Sequence, residues 1–323
     1  MIKHVKTLAA CLSALLLAGC AASPTPAPTT TRYHVAMIAK STSTEFWSAV
    51  FAGAEAAATE YNMDLTITGP ESEEDYSSQN DLIEKAVEEG AQAIIFSASD
   101  YQQNAAAIDA AADKGVRIVV VDSAVNSSKV SAYVGADNYG AGQMAAKSAL
   151  ENVEGPLHVG LVNYNVNSPN AQEREKGVID TLTASGRAEV AATVYSVATP
   201  ENARAETLTM LARHPEINVL ISFNEAVSVG AAQAVSDLNR ADDLWMVAFD
   251  SNITTVDALH TGAVDAMVVQ NTYGMGYFSV ENAYKLLAGQ GSDVTRETET
   301  ATRIIDRSNI FALDGQKAVF PFE

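Results

Sequence analysis

The residues of this chain best equipped to hold a ligand sit at the ends of short apolar runs. Ser97 follows Phe96, Asp122 follows Val121, Asn163 follows Val162, Asn224 follows Phe223, Asp250 follows Phe249 and Gln270 follows Val269. Each can hydrogen-bond a hydroxyl. Asp, Asn and Ser at such places also serve as helix N-caps, but Gln is a poor cap, and the recurrence of the pattern points to one polar-lined cleft. Asp100 reads instead as the cap of the helix after it. The loop 41–47 adds Ser43 and Thr44 beside the adjacent rings of Phe46 and Trp47. Successive helical positions point about 100° apart, so the two rings cannot both face one core from a helix start. Either one of them faces the cleft or both pack over the sheet edge.

Other chemistries find no support in the spacing. The five histidines are scattered, and there is no H-E-x-x-H, no cysteine pair for zinc, no G-x-S-x-G and no G-x-x-x-x-G-K. Gly140 to Ala145 matches G-x-G-x-x-A, but the next strand ends at Asn163 without the acidic residue that would hold a ribose, so this is a helix start capped by Asp137 or Asn138. Asp237-Leu238-Asn239 opens like a calcium loop, yet Ala241 and Ala248 occupy ligand positions, which leaves a helix end. No cofactor and no metal are expected. Asp122 and Asp250 could converge from different strands as a carboxylate pair, although nothing in their local sequence selects for catalysis.

The elements that place these residues alternate. Short β-branched runs at 35–39, 65–68, 93–96, 117–121, 132–135, 158–162, 190–195, 219–222, 246–249 and 266–269 are separated by a first helix with Phe46, Val50, Ala54 and Ala57 on one face and by helix-length stretches at 77–89, 104–114, 140–152, 171–185, 202–214, 227–238 and 277–287. That order predicts an α/β fold of parallel sheets covered by helices on both faces. Ten strands in one open sheet would be large, so two doubly wound lobes are expected. The chain length suits two such lobes. Open parallel sheets bind ligands beyond the carboxyl ends of their strands, where the polar residues above lie.

Composition narrows the partners. With 40 Asp+Glu against 20 Lys+Arg the formal charge is −20, which repels nucleic acid and anionic lipid. At the N-terminus, Lys3 and Lys6 precede an apolar run from Leu8 to Ala18, too short to span a membrane in the mature protein; residues 1–19 read as a secretory signal. The run ends in Leu17-Ala18-Gly19-Cys20, which resembles the bacterial lipobox, so Cys20 is expected to carry lipid and to anchor the protein on the outer side of a membrane. Residues 20–32, rich in Pro and Thr, form an extended tether.

Over nearly its whole mature length the chain resembles the ribose/galactose-type periplasmic sugar-binding proteins of bacterial ABC importers, whose fold is shared with the effector domains of LacI-type repressors. The resemblance is carried by Thr44, Phe46 and Trp47, by Val120-Val121-Asp122, Val134-Gly135-Ala136-Asp137-Asn138 and Glu173-Arg174, and by Phe223-Asn224, Ala248-Phe249-Asp250 and Gln270. It implies two lobes joined by three crossings, the periplasmic-binding-protein type I arrangement, with 33–136 plus 271–301 in one lobe and 137–270 plus 302–323 in the other. It implies that Phe46 and Trp47 stack on a sugar and that Asp122, Arg174, Asn224, Asp250 and Gln270 bond its hydroxyls. Thr44 belongs to the same set, with Ser43, Ser123 and Tyr164 as further contacts. The sequence departs from the ribose-type pattern where Ser43-Thr44-Glu45 replaces Asn-Asn-Pro, Ser123 replaces Arg and Ala198 replaces an aromatic residue.

The function implied is a monomeric, lipid-anchored receptor that takes a monosaccharide or polyol to an ABC permease, without enzymatic activity. A carbohydrate-acting enzyme on the same fold, or a sensor for a membrane kinase or chemoreceptor, are the alternatives. A repressor would need a DNA-reading helical module where this chain has its signal. Anchoring at Cys20 is checked by cell fractionation: Cys20→Ala should leave the membrane for the soluble fraction, and retention like that of the parent would contradict the lipobox.

Overall fold

The computed structural model describes residues 32–320. The signal, Cys20, most of the tether and the last three residues lie outside the described residues. The chain forms two six-stranded sheets. The first holds β1 (His34–Ile38), β2 (Asp64–Thr68), β3 (Ala93–Phe96), β4 (Arg117–Val121) and β5 (Ala132–Gly135), interleaved with helices α1 (Glu45–Glu60), α2 (Tyr76–Glu88) and α3 (Ala105–Asp113). The second holds β6 (Leu157–Asn163), β7 (Ala188–Tyr195), β8 (Val219–Ser222), β9 (Trp245–Phe249) and β10 (Ala266–Gln270). Its helices are α4 (Asn138–Asn152), α5 (Pro169–Ser185), α6 (Pro200–Arg213), α7 (Glu225–Asp237) and α8 (Ile253–Thr261).

After β10 the chain returns to the first lobe as α9 (Thr272–Leu287), adds β11 (Glu297–Glu299) beside β5, and crosses back as β12 (Thr302–Asp306) and α10 (Leu313–Val319). The strand orders are β11-β5-β4-β3-β1-β2 and β12-β10-β9-β8-β6-β7, so the lobes share one topology. Within the sheets only the β10–β12 pair is antiparallel. Two parallel-sheet lobes are what the alternation of short strands and helices predicts. The sequence reading missed α8, α10, β11 and β12, all short. Among the described residues no helix is long and apolar enough to cross a membrane.

Strand alternation fills both faces of the first sheet. Val35, Met37, Ile95 and Val119 pack under α1 and α9, while Ala36, Ile38, Ile94, Phe96 and Ile118 pack on the other side under α2 and α3. Such strands are buried on both faces, which explains their nearly continuous apolar sequence. Asp100 does not cap α3: its Oδ1 accepts from the Gln102 and Gln103 amides at 2.8 and 2.9 Å, which shapes the turn before that helix. The N-cap position of α3 is Asn104, itself fixed by its bonds to Asn80, Tyr76 and Asp100.

Close helix crossings lock both lobes, and two of them share one design. In the first lobe a Cβ on Gly276 of α9 would run into the Val50 carbonyl of α1, and one on Gly53 into the Tyr273 carbonyl. In the second, Gly142 of α4 faces the Arg174 carbonyl and Gly177 of α5 faces that of Tyr139. The two crossings grow from one repeated phrase, Asp137-Asn138-Tyr139-Gly140-Ala141-Gly142 and Asn271-Thr272-Tyr273-Gly274-Met275-Gly276. In both, the first residue caps the helix, Asp137 taking the Gly140 amide at 2.8 Å and Asn271 that of Gly274 at 3.0 Å. Gly276→Ala should therefore destabilise despite its better helix propensity, by about 2 kcal/mol, since overpacking costs roughly 1–3 kcal/mol. Urea unfolding checks this, and a neutral or stabilised variant would show that the helices can move apart freely.

Candidate functional site

The carboxyl ends of the two sheets face one another across a cavity that is partly open to solvent. Its walls come from the β1–α1 loop (Lys40, Ser41, Ser43, Thr44, Phe46), the β2–α2 loop (Glu71, Glu73), and the ends of β4 (Asp122), β8 (Asn224) and β9 (Asp250). Tyr164, Asn170, Arg174 and Glu225 complete it. β4 and β9 hold equivalent places in the two sheet orders. Asp122 and Asp250, the residues just beyond them, share a left-handed backbone with φ 61° and 66°. Few residues other than Gly adopt that region, and Asp is among them.

The two buried aspartates are held differently. Asp122 Oδ1 accepts from Asn170 at 2.8 Å, and Oδ2 from Ser97 at 3.2 Å beside the Lys40 ammonium at 3.4 Å. Asp250 Oδ1 accepts from the Gln270 amide at 2.7 Å. Burial pushes the pKa of Asp250 above the usual carboxylate range, against the pull of nearby Arg174. Arg174 itself is buried on α5, donating to Asn138 at 2.8 Å and to the Phe223 carbonyl at 2.7 Å, with its guanidinium 4.8 Å from the Phe249 ring centroid. Burial alone would lower the Lys40 pKa, but Glu73 at 3.9 Å and Asp122 outweigh it and hold the ammonium above the ordinary lysine range.

The expected site residues divide into two groups. Thr44, Phe46, Asp122, Arg174, Asn224 and Asp250 meet at the cavity, as do Ser43 and Tyr164. Tyr164 is buried rather than on the surface, with the Lys40 ammonium 5.7 Å from its ring centroid. Thr44 and Asn224 also cap α1 and α7, so cap and cleft residue are one and the same there. Trp47, Ser123 and Gln270 do not line this cavity. Trp47 is fully buried in the first lobe's core against Phe46 and Phe51, and its indole N–H reaches Glu73 at 3.1 Å. Ser123 is buried, its amide donating to the Ser97 hydroxyl at 3.3 Å. Gln270 lines a neighbouring cavity of about 170 Å³ on the hinge side, together with Phe46 and Asp250. Asn163 turns into the second lobe, donating to Glu175 at 2.6 Å.

Lys40, Glu71, Glu73, Asn170 and Glu225 are wall residues that the sequence reading missed. Lys40 fits the strand-end pattern directly, since it follows the apolar run ending at Ala39, but a lysine there reads as solvated turn. Glu73 and Glu225 gave no such signal. With Lys40 and Arg174 against Glu71, Glu73, Asp122, Glu225 and Asp250, the walls carry more acidic than basic groups and repel an anion. Among the described residues no cluster of His, Cys, Asp and Glu could hold a metal ion.

Glu225 titrates close to neutrality. Burial pushes its pKa up to about 7, Asp250 adds to the rise, and the Phe46 and Glu45 amides and the Asn252 side chain oppose it. A carboxyl raised in the folded state contributes stability that is fully present below its unfolded value, about 4.5, and is lost as pH rises through about 7. The melting temperature of the wild type should therefore fall relative to Glu225→Gln between about pH 5 and pH 8. Parallel curves for the two proteins would contradict this placement of the carboxyl.

Residues 35–291 match the family described as periplasmic binding protein domain. The D-ribose/D-allose-binding protein of Pseudomonas aeruginosa is 31% identical over 121 residues, which is 38% of this chain and 38% of that relative's length. A sugar transporter from Clostridium phytofermentans is 30% identical, and the match covers 85% of this chain and 100% of that one at a TM-score of 0.77. An ABC transporter solute-binding protein from Agrobacterium vitis, solved with bound D-fucose, is 25% identical and matches 89% of this chain and 100% of its own at a TM-score of 0.85. With two lobes of one topology, a walled cleft between them and a family match that spans most of its length, the chain belongs to the periplasmic binding protein family.

Proposed function

We propose that this protein is an extracytoplasmic receptor, anchored through a lipid on Cys20, that captures a neutral monosaccharide or similar polyol between its lobes and delivers it to an ABC permease. The observation that carries the reading is the set of buried polar groups from both lobes on one cavity: Asp122 from the first, Arg174, Asn224 and Asp250 from the second. Sugar hydroxyls both donate and accept, and hydrogen bonds to charged partners are the strong ones. Phe46 supplies an apolar face for the C–H side of a pyranose. The relative named for ribose and allose, and the one solved with fucose, support a sugar ligand.

The cavity encloses about 40 Å³, and a water needs roughly 10–15 Å³ by the same measure. A sugar ring therefore enters only if the lobes part. Its hydroxyls then replace cross-cleft bonds such as Asn170 to Asp122 and Asn224 to Glu73 (3.4 Å). Asp250, whose Oδ1 alone is engaged by Gln270, keeps an oxygen for the ligand. No covalent step is needed, and the protein acts as a receptor rather than an enzyme.

A thermal-shift panel of neutral sugars, polyols, sugar acids and sugar phosphates tests the reading. At least one neutral member should stabilise the protein, by about 2.7 kcal/mol at a hundredfold excess over Kd, and be recovered unchanged. Asp250→Ala should weaken its binding by one to two orders of magnitude, since a hydrogen bond to a charged group is worth about 1.5–3 kcal/mol. Tight binding of acids or phosphates alone, or consumption of the sugar, would overturn the assignment.

A further inference from the structure

The first residues of α1 and α7 face each other across the cleft and exchange an unusual set of bonds. Glu225, the first residue of α7 in the second lobe, accepts from the backbone amides of Glu45 at 3.2 Å and Phe46 at 2.7 Å in the first lobe. Those two amides open α1, where no intrahelical carbonyl is available to them. The helix's own cap, Thr44, takes only the Trp47 amide. The traffic also runs the other way. Glu45, the first residue of α1, places its carboxylate 3.3 and 3.4 Å from the amide of Ile253, the first residue of α8 in the second lobe. Asn252, the N-cap of α8, closes the circuit by donating to Glu225 at 3.1 Å.

We propose that Glu45 and Glu225 are positioning residues of the closed site, a reciprocal latch in which each lobe caps a helix of the other. A carboxylate near a helix N-terminus is favoured by the orphan amides and by the helix dipole. Here the cap and the helix belong to different lobes, so the favourable contact exists only when the lobes are together. That is the differential free energy a closure equilibrium needs. Glu225 also takes the amide of Phe46, the ring that lines the cavity, so the latch fixes the aromatic wall as it shuts. The donors that hold the latch are backbone amides, so each of its two arms depends on a single carboxylate, that of Glu225 or that of Glu45.

This inference rests on the reading that the two lobes part and close, and not on which molecule the cleft takes. Its test needs no ligand. Amide hydrogen exchange of the whole protein, with nothing added, should show Glu45, Phe46 and Ile253 protected at least threefold over the rate of an unstructured amide, although first-turn amides otherwise exchange freely. Glu225→Ala should abolish protection at Glu45 and Phe46, and Glu225→Gln should leave part of it. Glu45→Ala should abolish it at Ile253. Slow exchange at Ile94, Val120, Leu220 and Val247, inside the two sheets, should survive in every variant and shows that the fold is intact. Free exchange of the three amides in the parent, or protection at Glu45 and Phe46 that Glu225→Ala leaves unchanged, would overturn the latch. The sugar panel can fail or succeed independently of both results.

Discussion

Burying two aspartates at the ends of equivalent strands is the constraint from which the rest of the site follows. Asp122 and Asp250 are each no more than 5% exposed and each sits in left-handed backbone. A buried carboxylate without compensation is strongly destabilising, so each needs neighbours that the fold must supply. For Asp122 they are Lys40, Ser97 and Asn170, drawn from three different elements and both lobes. For Asp250 they are Gln270 and the field of Arg174, whose guanidinium is in turn braced by Asn138 and the Phe223 carbonyl. A ligand's hydroxyls enter this arrangement as further partners for charges that are already out of water.

Holding those charges in register requires lobes that are rigid within themselves and free to move only against each other. The repeated Tyr-Gly-x-Gly phrase at the start of α4 and α9 meets that need twice. Each copy lies just past a strand from which the chain changes lobe, so the same few residues cap a helix, seat it against its neighbour and end a crossing. Contacts between lobes are of another kind: hydrogen bonds from Asn165 to the Ser99 carbonyl, from the Ala198 amide to Glu74, and those of Glu45 and Glu225. Polar contacts of this sort exchange readily with water, whereas the glycine crossings do not.

Much of this was legible in the sequence because it is written in local pattern. Ten strands and eight helices follow from runs of β-branched residues separated by helix-length stretches, and the strand-end rule finds Asp122, Asn224 and Asp250. What local pattern could not reach depends on partners far along the chain. The family resemblance makes Trp47 a cleft ring beside Phe46, yet its place is set by the closeness of α1 to α9, some 230 residues later, together with a hydrogen bond from its indole to Glu73. Glu225 looks like an ordinary acidic residue in a first helical turn; its partners are the amides of another lobe. α8 is marked only by the Asn252–Thr255 capping box, and β11 and β12 are short, polar edge strands without an apolar run.

The central claim is that a molecule is bound by closing the two lobes around these charges. Small-angle scattering of the mature protein, alone and saturated with the sugar that stabilises it most, measures this directly. The account predicts that the unliganded protein is a mixture of closed and open forms, so that its radius of gyration falls on saturation, and an unchanged radius at saturation would contradict it.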